Sequence, residues 1–147
     1  MKLPIYLYGH PVLRRESKDI TPDYPDLKTL ISDMWETMYY SEGVGLAAPQ
    51  IGRNDRIVVI DASPVAEHFP ECEGKKFTLI NPVVEVLDGD TVVRDEGCLS
   101  LPDLSEAVPR VEHIRLKWVD ENFEPHEEEI TGFLDSIVQH ECNHLEA

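Results

Sequence analysis

Two histidines four residues apart, with a glutamate beside the first, form the string His140-Glu141-Cys142-Asn143-His144 near the end of this 147-residue chain. On a helix that spacing carries both imidazoles to one face about a turn apart, where they can grip one divalent metal ion while the adjacent carboxylate acts as a base. A catalytic centre of this kind needs three protein ligands and an open coordination position. Proteases that carry the same string take the third ligand from a His or Glu further downstream. Here only Leu145, Glu146 and Ala147 follow. The third ligand is therefore expected upstream. Cys142 lies two residues from each His and points to the other side of the helix, which leaves Cys98, Cys72, or a distant His or carboxylate.

Two other segments carry residues suited to a site. Cys98 stands in Glu96-Gly97-Cys98-Leu99-Ser100-Leu101-Pro102, just past a strand-like stretch, where Gly97 frees the backbone and Pro102 stiffens the exit. The segment Gly43-Val44-Gly45-Leu46-Ala47-Ala48-Pro49-Gln50 offers glycines for close backbone approach, a run of small residues and the polar amide of Gln50. Cys72, by contrast, lies between two glutamates in Glu71-Cys72-Glu73.

The elements that must position these residues are legible from periodicity. Leu27, Leu30, Ile31, Met34 and Met38 recur at helical spacing over 26–41, with Pro25 placed for a first turn and Gly43 beyond the end. Residues 56–61 read as a short buried strand. Residues 76–87 read as strand material broken at Asn81-Pro82, and Asp88-Gly89 as a hairpin turn into 91–93. Over 111–119, Ile114, Leu116 and Trp118 alternate with His113, Arg115 and Lys117, the pattern of a half-buried strand, and 120–122 turn the chain back. A second helix runs from 132 to the end, with Leu134, Ile137, Val138, Cys142 and Leu145 as its apolar face. The expected class is α+β: antiparallel strands packed around a C-terminal helix that carries the metal-binding string.

Composition sets the outer limits. With 13 Lys+Arg against 29 Asp+Glu, the net charge of −16 disfavours nucleic acid and anionic membranes, both of which are bound through basic patches. The acidic residues are expected to form a solvated surface, concentrated in Glu71-Cys72-Glu73 and Glu127-Glu128-Glu129. Three cysteines make no disulfide framework, so a reducing compartment is expected. The N-terminus lacks the pattern of a signal peptide, and no apolar run approaches the ~20 residues that span a bilayer. Without linker or repeat, residues 1–147 are read as one domain.

In this order the three segments resemble the peptide deformylases, whose pattern is G-x-G-L-A-A-P-Q, then E-G-C-L-S, then Q-H-E-x-D-H-L. The first two stand complete and the third has one change, Asn143 for the usual Asp. The resemblance extends to the opening Leu3-Pro4-Ile5 and Gly9-His10-Pro11-Val12-Leu13-Arg14. It implies metal ligation by Cys98, His140 and His144, with Glu141 as general acid and base. The amide of Gln50 and the backbone N–H of Leu99 would form the oxyanion hole. It further implies that Val44, Phe133, Ile137 and the ring of His140 line an apolar pocket for the first substrate side chain, usually methionine. Gly43 and Gly45 would let the peptide backbone lie alongside, and Glu96 and Gln139 would brace the site through hydrogen bonds.

Asn143 is expected to keep a hydrogen bond while losing an ion pair, with Arg110 as the partner. The implied reaction is hydrolysis of the N-formyl group from the formyl-methionine of newly made polypeptides, releasing formate. The implied metal is Fe²⁺, with Zn²⁺ or Ni²⁺ also suited to a thiolate and two imidazoles. The resemblance also implies a bacterial-type cytosolic setting and transient contact with ribosomes, although no basic patch in the sequence marks such a contact. Family members usually continue past this point by a helix or strand. On that ground the end of the helix is expected to fray and activity to suffer, so an inactive metal-binding fragment is one alternative and a protease using the same string is another.

Overall fold

The computed structural model describes residues 3, 5, 17–41, 43–98 and 101–145, and describes side chains for all of these except 94–98 and 101–107. Most of the opening segment and Leu99, both singled out in the sequence, lie outside the described residues.

The chain runs α1 (Leu27–Tyr40), β1 (Gly45–Ala47), a 3-10 turn Ala48–Ile51, β2 (Ile57–Asp61), short 3-10 turns Ser63–Val65 and Pro70–Cys72, β3 (Lys76–Val86), β4 (Thr91–Cys98), β5 (Leu101–Val111), β6 (His113–Val119), β7 (Pro125–Thr131) and α2 (Gly132–Asn143). Five strands form an antiparallel sheet in the order β1-β2-β3-β6-β7, and β4 and β5 form a separate two-stranded ribbon. The α+β class holds.

The sheet is covered on both faces, which is why β2 reads as an unbroken apolar run. Ile57 and Val59 join Leu46 and Ile80 under Leu27, Leu30, Ile31, Met34 and Met38 of α1. Val58 and Ile60 face the other way, with Ala47, Leu79, Ile114, Leu116 and Ile130, against Leu134, Ile137, Val138, Cys142 and Leu145. The helical stripes and alternating strands recognised in the sequence thus become two cores on opposite faces of one sheet. α1 starts one residue later than expected, because Asp26 sits in the left-handed region at φ 55° as the residue before the first turn.

Several local expectations are corrected. The Asp88-Gly89 turn does not join a β3–β4 hairpin: β3 pairs with β6 from Ile80↔Val119 to Val86↔Ile114, and β4 turns back onto β5 instead. The extended edge of β3 is occupied by β6, so β4 leaves the sheet. The break at Asn81-Pro82 is a bulge within one continuous strand, between Ile80 and Val83. Asn81 takes φ 52°, and its amide exchanges two hydrogen bonds with the backbone of Ile20, at 2.8 and 2.9 Å.

Glu127 and Glu129 are exposed, as expected of a solvated acidic run, and are also paired with basic residues. Glu127-Glu128-Glu129 form the middle of β7, where Glu129 and Glu127 lie opposite Arg115 and Lys117. The Arg115 guanidinium reaches both glutamates, at 3.2 and 3.4 Å. Cys72 is fully buried, and burial with the Glu71 charge beside it pushes its thiol up to about 11.

Candidate active site

α2 brings its histidines to the buried side of the sheet. The rings of His140 and His144 meet edge to face with centroids 5.3 Å apart, the consequence of four-residue spacing on one helix. His144 is 8% exposed, and burial, then the neighbouring His140, pushes its imidazole down to about 4. It is therefore neutral at physiological pH, the state in which a ring nitrogen can ligate a metal. The helix end is tied down: Ser17 donates its backbone N–H to the Leu145 carbonyl at 2.8 Å, and Leu145 is itself buried.

Glu141 is 6% exposed, with Oε1 3.9 Å from His140 Nε2. Its side chain fills the space beside Gly45 on β1, where a Cβ would stand 2.6 Å from Glu141 Cγ and 2.9 Å from Cδ. Sequence reasoning assigned Gly45 to close approach of a substrate. The structure gives it an additional task, making room for the carboxylate on α2. The only sequence signal for this is a glycine inside a strand, which points to close approach without saying by what.

Gln50 is fully buried on the 3-10 turn that follows β1. Its Oε1 accepts the Ala47 N–H at 3.0 Å, which fixes the amide plane and makes the NH₂ the donor end of the side chain. β1 is an outer strand of the five-stranded sheet, so Gly45 and the preceding Gly43 and Val44 run along its edge. Val44 and Phe133, two of the expected pocket residues, pack against the core cluster that contains the third, Ile137.

Cys98 closes β4 opposite Leu101, at the tip of the β4–β5 ribbon, with Glu96 two residues before it. The side chains of both lie outside the described residues. Among the described residues no cluster of three His, Cys, Asp or Glu side chains is placed to hold a metal. The donor set expected from sequence, one thiolate with two neutral imidazoles, is chemically suited to a divalent first-row ion.

A polar seam locks α2 to β5. Gln139 donates from Nε2 to the Val111 carbonyl at 2.9 Å and to Oδ1 of Asp135. With its amide oxygen turned toward Arg110, Asn143 accepts from both guanidinium nitrogens at 2.6 and 3.1 Å and donates to the Gln139 carbonyl. The expected Arg110 contact is therefore present as a hydrogen-bonded pair with a neutral amide.

Asp135, which sequence reasoning missed, is fully buried, and its Oδ2 has no hydrogen-bond partner among the described residues. Burial pushes its carboxyl up to about 6, against the Gln139 bond; Glu112 adds to the rise, while Arg110 and His113 oppose it. Since the folded protein holds this proton more tightly than the unfolded chain, stability should fall as pH rises from about 4 to about 6 and stay lowered above that. Asp135→Asn keeps an acceptor for Gln139 without the buried charge. It should stabilise the protein by about 1–2 kcal/mol at pH 7.5 and by nothing near pH 4, read by urea unfolding at both values. An equal effect at the two pH values would remove the charge from the explanation.

The profile of the polypeptide deformylase family matches residues 2–147. The chain is 42% identical to a peptide deformylase of Salinibacter ruber over 150 residues, covering 99% of this chain and 77% of that protein. It is 44% identical to one of Christiangramia forsetii, with 99% and 78% covered. Among solved structures it is similar to the peptide deformylase of Thermotoga maritima, with TM-score 0.88, 36% identity, and 99% and 92% of the two chains covered. The Synechococcus elongatus peptide deformylase in complex with actinonin superposes with TM-score 0.85 at 37% identity, covering 97% and 73%. These matches favour the deformylase reading of the motif over the protease one.

Proposed function

The chain belongs to the polypeptide deformylase family, a family of divalent-metal hydrolases, and from that premise we propose how its residues share the work of removing the N-formyl group from newly made polypeptides. The products are formate and a free terminal amine. His140, His144 and Cys98 would hold the ion, and the pairing of His140 with His144 on one buried helix face is the observation that carries this assignment. When bound, a divalent ion supplies Lewis acidity that brings the pKa of water from about 16 toward roughly 7, within reach of a carboxylate base.

Glu141 takes the proton of the attacking water and delivers it to the departing amine, a role suited to a carboxylate held beside a ligand with its side chain wedged against Gly45. Gln50, its oxygen engaged by the Ala47 N–H, donates from its NH₂ to the oxygen of the tetrahedral intermediate, with the backbone N–H of Leu99 as the second donor. The peptide lies along the outer edge of β1 at Gly43 and Gly45, as an added strand, and its first side chain enters among Val44, Phe133 and Ile137. Gln139 and the Asn143–Arg110 pair keep α2 in register with β5, and Glu96 braces the Cys98 side of the site.

Fe²⁺ is the native ion in this reading, with Zn²⁺ and Ni²⁺ as competent substitutes for the same soft ligands. The setting is a bacterial-type cytosol, consistent with the free thiols Cys72 and Cys142. No helix among the described residues is long and apolar enough to cross a membrane. Ribosome contact would be transient, given a net charge of −16. The deciding experiment is formate release from a short formyl-methionyl peptide by the anaerobic Fe²⁺-loaded protein, set beside metal content by mass spectrometry. Wild type should carry one ion per chain and turn over, and Cys98→Ala should lose both. Full metal occupancy in Cys98→Ala would remove that residue from the ligand set.

A further inference from the structure

α2 starts without help from its own flank, since Thr131 makes no side-chain cap. Instead Glu71, 62 residues earlier on the turn Pro70–Cys72, accepts the backbone N–H of Phe133 at 2.7 Å. Its carboxylate thereby accepts from a first-turn backbone donor and lies at the positive end of the helix. Gly132 is shaped for this contact: φ is +73°, and a Cβ would stand 2.3 Å from Glu71 Oε2.

The same turn supplies a second contact. Phe69 stacks on Phe133 with ring centroids 4.1 Å apart and planes 22° apart. Both rings pack against the core cluster that contains Ile137, as does Val44, and fully buried Cys72 belongs to that cluster and anchors the turn. One residue, Phe133, is thus held by its backbone through Glu71 and by its ring through Phe69.

We infer that Phe69 and Glu71 determine specificity: they fix the Phe133 ring as one wall of the pocket for the first substrate side chain, Phe69 backing the wall and Glu71 setting its position. This rests on the deformylase reading above, which makes Phe133 a pocket residue. Neither residue touches the reacting atoms. Loosening them widens the slot without removing the catalytic groups, so the effect falls on the choice between side chains.

The test compares N-formyl-methionyl and N-formyl-phenylalanyl tripeptides on the metal-loaded protein. In Phe69→Ala the ratio of kcat/KM for the methionyl over the phenylalanyl peptide should fall about fivefold or more, with kcat for the methionyl peptide within about threefold of wild type. Glu71→Ala should move the ratio the same way. Glu71→Gln, whose amide oxygen still accepts from Phe133, should restore most of it. A purely structural role would lower kcat alike for both peptides and leave the ratio unchanged, and that result would overturn the proposal.

Calorimetric affinities for the two peptides on Glu141→Gln protein read the same ratio without turnover. A wild type that binds the methionyl peptide yet releases no formate would defeat the deformylase reading while the affinity ratio still judges the pocket. Failure of the host to bind either peptide would defeat the pocket itself.

Discussion

Glu141→Gln should lower kcat about a thousandfold while metal content and melting temperature stay near those of wild type. The amide has the shape of the carboxylate, so it fits the slot beside Gly45 and keeps the neighbourhood of His140, with Oε1 of the native residue 3.9 Å from Nε2. It cannot take a proton from water or return one to the amine, and positioned proton transfer is typically worth about 10²- to 10⁴-fold. Because Glu141 is buried, bulk buffer has poor access to replace it. The measurement is formate release per bound metal under saturating peptide. A variant that keeps a tenth of the rate would move the base elsewhere.

Gly45→Ala should cost about a hundredfold in kcat by a different route. The added methyl would lie 2.6 Å from Glu141 Cγ and 2.9 Å from Cδ, well inside contact distance. Gly45 is held in register opposite Ile60 on β2, and the carboxylate it touches is buried, so the lighter partner, the Glu141 side chain, must shift. Misplacement of a catalytic group by about an ångström is worth that order of rate, and overpacking adds about 1–3 kcal/mol of instability. The double variant Gly45→Ala/Glu141→Ala separates the causes. The shorter side chain removes the clash, so thermal stability should return toward that of Glu141→Ala alone. The two activity losses should not multiply, because both act on one group. Fully multiplicative losses would mean that Gly45 serves the substrate alone.

The parts visible in the sequence are those whose signal is local. α1 and α2 declare themselves by apolar stripes, β2 by burial on both faces, and β6 by alternation. The histidine pair, Glu141, Gln50 and Cys98 are legible as motifs. β1 escapes because three residues containing Gly and Ala carry no pattern of their own, and their strand character comes from pairing with β2. β7 escapes because a run of three glutamates, Glu127-Glu128-Glu129, fills its middle, and Arg115 and Lys117 on the neighbouring strand make that run acceptable.

Asp88-Gly89 reads as a turn, yet its local chemistry cannot say that β3 will pair with β6. Glu71 looks like one more surface charge until a helix start 62 residues away is placed against it. What sequence misses here is partnership between distant segments, and Gly45 shows it most directly. The residue type announces a close approach, and only the fold names Glu141.

The order of elements also dictates a history for the molecule. α2 is synthesised after every strand it covers, so Ala47, Val58, Ile60, Ile114 and Leu116 leave the ribosome before the helix that packs on them. That face lacks the helix's share of its cover until α2 is made, and exposed apolar surface of this kind favours aggregation. His144 owes its burial to the docking of α2 on this face. Covering the apolar face and burying the histidine helix are therefore one and the same step.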